Sequence, residues 1–105
     1  MEIHGPSAVG HIPQILDALA GRVEHVYVDL DVDVLDRAFA PACPGARPGG
    51  ITPRELLDAA FVAGAHRSVR AVDIVEVDAA ADVAHITVDT AALCLLNVAA
   101  GYATR

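Results

Sequence analysis

The sequence VYVDLDVDVLD, residues 26–36, decides the fold, because valine and leucine alternate in it with tyrosine and aspartate. This period of two is typical of a β-strand with one apolar and one acidic face. We predict a strand that carries Asp29, Asp31 and Asp33 on its acidic face, at intervals of about 6.6 Å. Because like charges repel, cations bound at the carboxyl end of a parallel strand explain this row best. A solvent-exposed edge strand is the alternative.

Helix and strand signals alternate along the rest of the chain. The predicted elements are a helix over residues 11–21, the acidic strand, a loop over residues 37–50, a helix from Thr52 to about Gly64, a strand over residues 69–77 and a helix from about Thr87 to just before Gly101. Because parallel strands are joined by helical crossovers, this order predicts an α/β domain with a parallel sheet.

Local patterns support these helices and strands. The first helix has an apolar face made of Ile12, Ile15, Leu16 and Leu19. Thr52, Pro53 and Glu55 form a helix start, in which threonine caps a free amide and glutamate bonds back to the cap. The second strand is apolar on both faces apart from Arg70, Asp73 and Glu76. We therefore expect helices to cover this strand on both sides.

Composition excludes several classes of function. The 105 residues suit one small domain, and the net charge of -7 would repel the phosphates of nucleic acids. All the basic residues are arginine, so mechanisms that need a lysine amine are excluded. Cys43 and Cys94 match no disulfide or zinc spacing, and the first residues show no secretory pattern, which together predict a cytoplasmic protein. The apolar tract 91–100 is too short to cross a membrane.

Two other metal-dependent classes can be compared with the acidic strand. An EF-hand beginning at Asp29 would need glycine and glutamate where the chain has Val34 and Ala40, which excludes it. A haloacid-dehalogenase-like phosphatase could use Asp31 as nucleophile and Asp33 as acid/base, with magnesium. Such enzymes usually carry a downstream lysine, which this chain lacks. The phosphatase stays open as an alternative.

A longer pattern resembles the ureohydrolase family of arginases, agmatinases and formimidoylglutamases. It consists of D-x-D-x-x-D from Asp31 to Asp36, then Ala-Pro and Pro-Gly-Gly in the loop, then D-I-x-E-V over residues 73–77. The resemblance covers about residues 25–101. Arginases and agmatinases usually carry proline after the third acid, where this chain has Arg37. Together with the sequence APACP at residues 40–44, this makes the chain most similar to formimidoylglutamases, enzymes of histidine breakdown.

The resemblance implies a fold, a cofactor and three site residues. The fold would be part of a three-layer α/β/α arginase-like domain with parallel strands. Asp31 would bridge two Mn²⁺ ions, Asp33 would bind one of them, and Glu76 would accept hydrogen bonds from the amidine or guanidine substrate. A metal-bridging hydroxide would attack the C=N carbon and convert formimidoylglutamate to glutamate and formamide. A guanidino substrate, as in agmatinases or arginases, is the alternative.

The family's remaining metal ligands, two histidines and two aspartates, have no match in this sequence. None of the five histidines has ligand spacing to a carboxylate: His4, His11, His25, His66 and His85. We therefore expect residues 1–105 to be the C-terminal fragment of a single arginase-like domain, with little or no activity alone. Either an N-terminal part or a homo-oligomer would supply the missing ligands. A non-catalytic interaction module is the alternative.

Five other polar residues receive structural or open interpretations. Asp36 is expected to cap a turn, since aspartate readily bonds the backbone that follows it. We interpret Cys43 as an ordinary small residue and Cys94 as part of the core. Asp73 is expected to be structural. Asp78 could fix the turn after the second strand or approach the substrate, and the sequence leaves both open.

Overall fold

A computed structural model describes residues 6–105 of the chain and contains helices and strands in the predicted order. These are α1 (Ile12–Ala20), β1 (Val26–Asp31), α2 (Pro53–Ala65), β2 (Val69–Val75) and α3 (Ile86–Tyr102). Short 3-10 turns lie at Pro6–His11, Val32–Val34, Arg37–Phe39 and Ala79–Ala81. Within the described residues no helix is both long and apolar enough to span a membrane.

The two strands are parallel neighbours, which confirms the predicted α/β class. Asp29 lies opposite Asp73, and Asp31 lies opposite Val75. The predicted length of the acidic strand was wrong, because β1 ends at Asp31. There the Asp31 side chain accepts a hydrogen bond from the backbone N–H of Asp33 at 3.0 Å, and a 3-10 turn follows. Since this local bond competes with strand pairing, Asp33 does not continue the row of Asp29 and Asp31.

Three further details of the predicted elements were wrong. The second strand ends at Val75 instead of residue 77, and Glu76 takes a left-handed conformation with φ of 71°. Arg70 in the same strand is exposed, so helices do not cover β2 fully on both sides. In α1 only Leu16 of the predicted apolar face is buried.

The start of α2 has the predicted capping box. The Thr52 hydroxyl accepts a hydrogen bond from the backbone N–H of Glu55 at 3.3 Å, and the Glu55 carboxylate accepts one from the backbone N–H of Thr52 at 2.7 Å. Both bonds satisfy amides that the first helical turn leaves free. Pro53 occupies the first turn, where a missing N–H costs nothing.

We expect Thr52→Ala to lower the free energy of unfolding by about 1 kcal/mol, because it removes one half of this capping box. Urea unfolding followed by circular dichroism measures the change. Thr52→Ser keeps the hydroxyl and serves as the matched control. An alanine variant as stable as the serine variant would show that the cap contributes nothing.

The α2 and α3 helices approach closely through two glycines. A Cβ atom at Gly64 would lie 2.0 Å from the carbonyl oxygen of Val98, and one at Gly101 would lie 2.1 Å from that of Phe61. The prediction that α3 ends before Gly101 was wrong, since the helix continues to Tyr102. Gly101 is therefore a packing residue and not a helix stop.

The core lies between the two strands, α2, α3 and the loop that follows β1. The buried residues of this cluster are Leu30, Val32, Leu35, Ala40, Cys43, Ala46, Leu56, Leu57, Ala60 and Cys94. Five of the ten, Val32, Leu35, Ala40, Cys43 and Ala46, come from the residues just after β1 and the loop over residues 37–50, so part of this loop is packed into the core. In contrast, α3 exposes Leu95 and Leu96, each 62% accessible.

Candidate metal and substrate site

Acidic side chains gather where the two parallel strands end. Asp31 is the last residue of β1, and Glu76 directly follows β2. The carboxyl ends of parallel strands meet at one edge of a sheet, where open α/β folds place their sites. The charges of Asp31 and Glu76 both raise the pKa of Asp33, so the fold brings the three predicted site residues into one electrostatic environment.

Asp31 and Asp33 form the centre of this acidic edge, and both are half-buried. The pKa of Asp33 is raised first by a hydrogen bond with the Asp31 side chain, then by desolvation, and then by the charges of Asp31 and Glu76. Two neighbouring carboxylates repel when both are ionised, and a bound cation relieves that repulsion. Their oxygens are also the hard donors that Mn²⁺ accepts.

Gly45 leaves the space that the Asp33 carboxylate occupies. A Cβ atom at residue 45 would lie 2.2 Å from Oδ2 of Asp33, which is far inside van der Waals contact. A glycine at this position therefore lets the loop pass beside the carboxylate without displacing it. The two carboxylates and this cradle fit part of a divalent-metal site. Sequence reasoning treated Gly45 only as a loop residue, because the contact joins residues twelve positions apart.

Asp36 ties together the two ends of the loop that carries Gly45. Its Oδ1 accepts a hydrogen bond from Ala38 N–H at 2.9 Å, and its Oδ2 accepts one from Gly49 N–H at 2.8 Å. These two bonds lower the pKa of Asp36. The prediction that Asp36 caps a turn is confirmed. Gly50 completes the closure, because a Cβ there would lie 2.4 Å from the backbone nitrogen of Asp36.

Cys43 lies in the same loop and is buried. Burial first, and then the charges of Asp33, Asp31, Asp82 and Glu76, raise the pKa of its thiol to about 11. Such a thiol stays protonated near neutral pH and is a poor nucleophile. This agrees with the interpretation of Cys43 as an ordinary small residue. The prediction that Cys94 belongs to the core is confirmed, since it is fully buried.

Asp29 and Asp73 form a second acidic pair on neighbouring strands. The Tyr27 hydroxyl donates a hydrogen bond to Oδ2 of Asp73, which raises the pKa of Tyr27. The pKa of Asp29 is raised first by desolvation and then by the charge of Asp73. Asp73 thus links β1 and β2 through Tyr27, which agrees with the structural role expected for it.

Asp78 fixes the turn after β2. Its Oδ1 accepts a hydrogen bond from Ala80 N–H at 3.1 Å, and its own backbone N–H donates to the carbonyl of Ala42 at 2.9 Å. Of the two roles that the sequence left open, the structure supports the turn. Asp78 therefore connects the end of β2 to the loop beside Asp33.

The histidines add no further ligands within the described residues. No group of three or more histidine, cysteine, aspartate or glutamate side chains among residues 6–105 is arranged to hold a metal ion. His66 pairs with Asp17 at 2.9 Å and joins α2 to α1. His4 lies outside the described residues. Asp31 and Asp33 stay the candidate metal ligands, and the described residues do not form a complete metal site around them.

The two parallel strands end next to acidic residues. This places the chain among α/β proteins whose functional site lies at the carboxyl ends of the strands. A sequence model of the Arginase family matches residues 1–101. The chain belongs to the arginase family. This membership favours the ureohydrolase interpretation over the phosphatase alternative, and the predicted family is confirmed.

This chain matches only the C-terminal part of similar proteins in the family. Formimidoylglutamase from Halalkalibacterium halodurans is 43% identical over 83 residues, which are 79% of this chain and 26% of that protein. An agmatinase from the same organism is 49% identical over 73 residues, 68% of this chain and 24% of that protein. This chain therefore spans about a quarter of the length of these relatives.

Solved structures confirm the arginase fold. The crystal structure of formimidoylglutamase from Bacillus subtilis matches with a TM-score of 0.84 and 34% identity, over 90% of this chain and 30% of that chain. A formiminoglutamase from Trypanosoma cruzi, solved with Mn²⁺, matches with a TM-score of 0.79 and 22% identity, over 93% of this chain and 34% of that chain. The predicted part of an α/β arginase-like fold with parallel strands is confirmed.

Proposed function

We propose that this chain is the C-terminal part of a manganese-dependent ureohydrolase that converts formimidoylglutamate to glutamate and formamide. The observation that carries the proposal is the pair Asp31 and Asp33, half-buried where one parallel strand ends, with Glu76 directly after the neighbouring parallel strand. The similarity to formimidoylglutamases and the Arg37 that follows the third acid support this substrate over guanidino compounds.

The three acidic residues have two roles in the proposed reaction, metal binding and substrate binding. Asp31 and Asp33 hold manganese through hard carboxylate oxygens. The bound metal supplies an activated water and stabilises the charge that develops on the reacting group. Glu76 lies at the strand end, is exposed, and accepts hydrogen bonds from the planar N–H groups of the substrate. A carboxylate suits a cationic amidine because two parallel charge-assisted bonds fix its orientation.

The proposed enzyme needs more than residues 1–105. The described part supplies two metal-binding carboxylates, and further ligands come from the rest of an arginase-like domain. The exposed Leu95 and Leu96 of α3 support this, since a helix that is apolar on all sides is normally buried in a larger protein. The two-stranded sheet also leaves strand edges open to pairing with further strands.

The test is a chimera in which this chain replaces the matching C-terminal part of Bacillus subtilis formimidoylglutamase. We expect the chimera with Mn²⁺ to release formamide from formimidoylglutamate and to lose that activity when the metal is chelated. The 105-residue chain alone should show little or no turnover. A folded chimera that binds Mn²⁺ without hydrolysing formimidoylglutamate would contradict the proposed substrate, and clear turnover by the chain alone would contradict the fragment proposal.

Agmatine hydrolysis is the second candidate, because the agmatinase relative has the higher identity over its shorter match. Agmatine and arginine are therefore assayed beside formimidoylglutamate in the same chimera. Faster release of urea from agmatine than of formamide from formimidoylglutamate would favour the agmatinase assignment.

A further inference from the structure

The peptide groups of Ala42 are held from both sides by residues that follow β2. Its backbone N–H donates a hydrogen bond to Oγ1 of Thr87 at 3.0 Å, and its carbonyl accepts one from the backbone N–H of Asp78 at 2.9 Å. Ala42 and Thr87 are both fully buried. Because a buried peptide group needs a partner, the Thr87 hydroxyl is the group that allows the loop to stay packed at this point.

Thr87 is itself held in place by Asp82. Oδ1 of Asp82 accepts a hydrogen bond from the backbone N–H of Thr87 at 3.1 Å, and Oδ2 accepts one from that of Val88 at 2.8 Å. The residue at the N-cap position of α3, His85, makes no side-chain cap. Burial raises the pKa of Asp82, but the hydrogen bonds from Val88 and Thr87 outweigh it and bring the pKa to about 2. An ionised carboxylate therefore fixes the first turn of α3.

The loop that contains Ala42 also lies beside Asp33. Ala42 and Gly45 are three residues apart, in a segment that two backbone hydrogen bonds stabilise. The N–H of Cys43 donates to the Ala40 carbonyl and the N–H of Ala46 donates to the Cys43 carbonyl, each at 3.1 Å. Ala42 is therefore anchored three residues before the glycine that lies beside the Asp33 carboxylate.

We propose that Thr87 is a positioning residue, whose hydroxyl holds the loop over residues 40–46 against Asp33 and so keeps that carboxylate in a metal-binding orientation. The effect on metal rests on the proposed function, whereas the effect on the loop stands on the hydrogen bonds alone. Thr87→Val keeps the shape of the side chain and removes its oxygen. The N–H of Ala42 then loses its buried partner, and the loop satisfies it by opening to water.

The experiment uses the two buried cysteines as reporters in the 105-residue chain. Cys43 lies in the loop, and Cys94 lies in α3 and is fully buried, so it reports on the rest of the core. We expect Thr87→Val to speed alkylation of Cys43 by iodoacetamide about tenfold relative to Cys94, measured by mass spectrometry. Thr87→Ser keeps the hydroxyl and should restore the slow wild-type ratio.

Equal acceleration of both cysteines in Thr87→Val would overturn the proposal, since it would show a general loss of stability. An unchanged Cys43 rate in a folded variant would overturn it as well. If Thr87→Val does not fold, Thr87→Ser is the deciding variant. A ratio of the Cys43 alkylation rate to the Cys94 alkylation rate above that of the wild type would show that the methyl group, and not the hydroxyl, holds the loop.

A second measurement separates this proposal from the proposed function. Mn²⁺ is titrated into the Bacillus subtilis formimidoylglutamase chimera that carries each Thr87 variant, and binding is followed by the loss of the free-ion electron paramagnetic resonance signal. We expect Thr87→Val to weaken Mn²⁺ binding roughly tenfold, as residues that orient metal ligands commonly do. A wild-type chimera that folds but binds no Mn²⁺ would contradict the proposed function, and the alkylation result would still decide the role of Thr87 in the loop.

Discussion

Replacing Gly101 by alanine is expected to lower the free energy of unfolding by about 3 kcal/mol, at the upper end of overpacking effects. The added Cβ would stand 2.1 Å from the carbonyl oxygen of Phe61 and 2.8 Å from the backbone nitrogen of Ala65. Both obstacles are backbone atoms of α2, so no side-chain rotation can relieve the clash. The two helices must separate, which disturbs the contact between α2 and α3.

Urea unfolding of wild type and Gly101→Ala measures this loss, and Gly21→Ala is the matched control. A Cβ at Gly21 would meet its nearest atom at 3.5 Å, an ordinary contact, and the residue has φ of -73°. The control should therefore change stability by no more than about 0.5 kcal/mol. The free energy of unfolding of a small domain is only about 5 to 15 kcal/mol, so a loss of this size should make the Gly101 variant clearly less stable at 37 °C. Equal stability of the two variants would contradict the close helix approach.

The Gly101 case shows why some of the fold could not be predicted from the sequence. A glycine after an apolar run is a typical helix stop, and only the presence of a second helix makes it a packing residue. Local signals were reliable where the partners are close in sequence, as in the capping box of Thr52 and Glu55 and the turn at Asp36. The parallel pairing of the strands also followed from the order of elements alone.

The candidate site likewise contains residues that could be predicted from the sequence and residues that could not. The family resemblance identified Asp31 and Glu76 as site residues, and the structure places both where the parallel strands end. The direction of Asp33 was missed, since the Asp31 side chain binds its amide and turns the chain out of the strand. Gly45 and Thr87 gave no signal at all, because their contacts with Asp33 and Ala42 span 12 and 45 residues.

Replacing Gly45 by alanine is expected to weaken Mn²⁺ binding by roughly 10- to 100-fold, the range typical of changes around metal ligands. The new Cβ would lie 2.2 Å from Oδ2 of Asp33 and 3.1 Å from its Cγ, so it would overlap the carboxylate. Here the obstacle is the end of a flexible side chain, so the carboxylate can rotate away while the backbone stays in place. The variant should therefore fold with nearly wild-type stability, in contrast to Gly101→Ala.

A double-mutant cycle tests whether the change at Gly45 acts through Asp33. Mn²⁺ affinity is measured in the Bacillus subtilis formimidoylglutamase chimera for the wild-type segment, Gly45→Ala, Asp33→Ala and the double variant, and Gly10→Ala is the control because no atom lies within 4 Å of its added Cβ. If residue 45 matters only by displacing the Asp33 carboxylate, Gly45→Ala should have no effect once that carboxylate is absent. An equal loss in both backgrounds would mean that the loop contributes to metal binding independently of Asp33. A Gly45→Ala variant with unchanged affinity would place the metal away from this carboxylate, because an ion held by it could not tolerate the displacement.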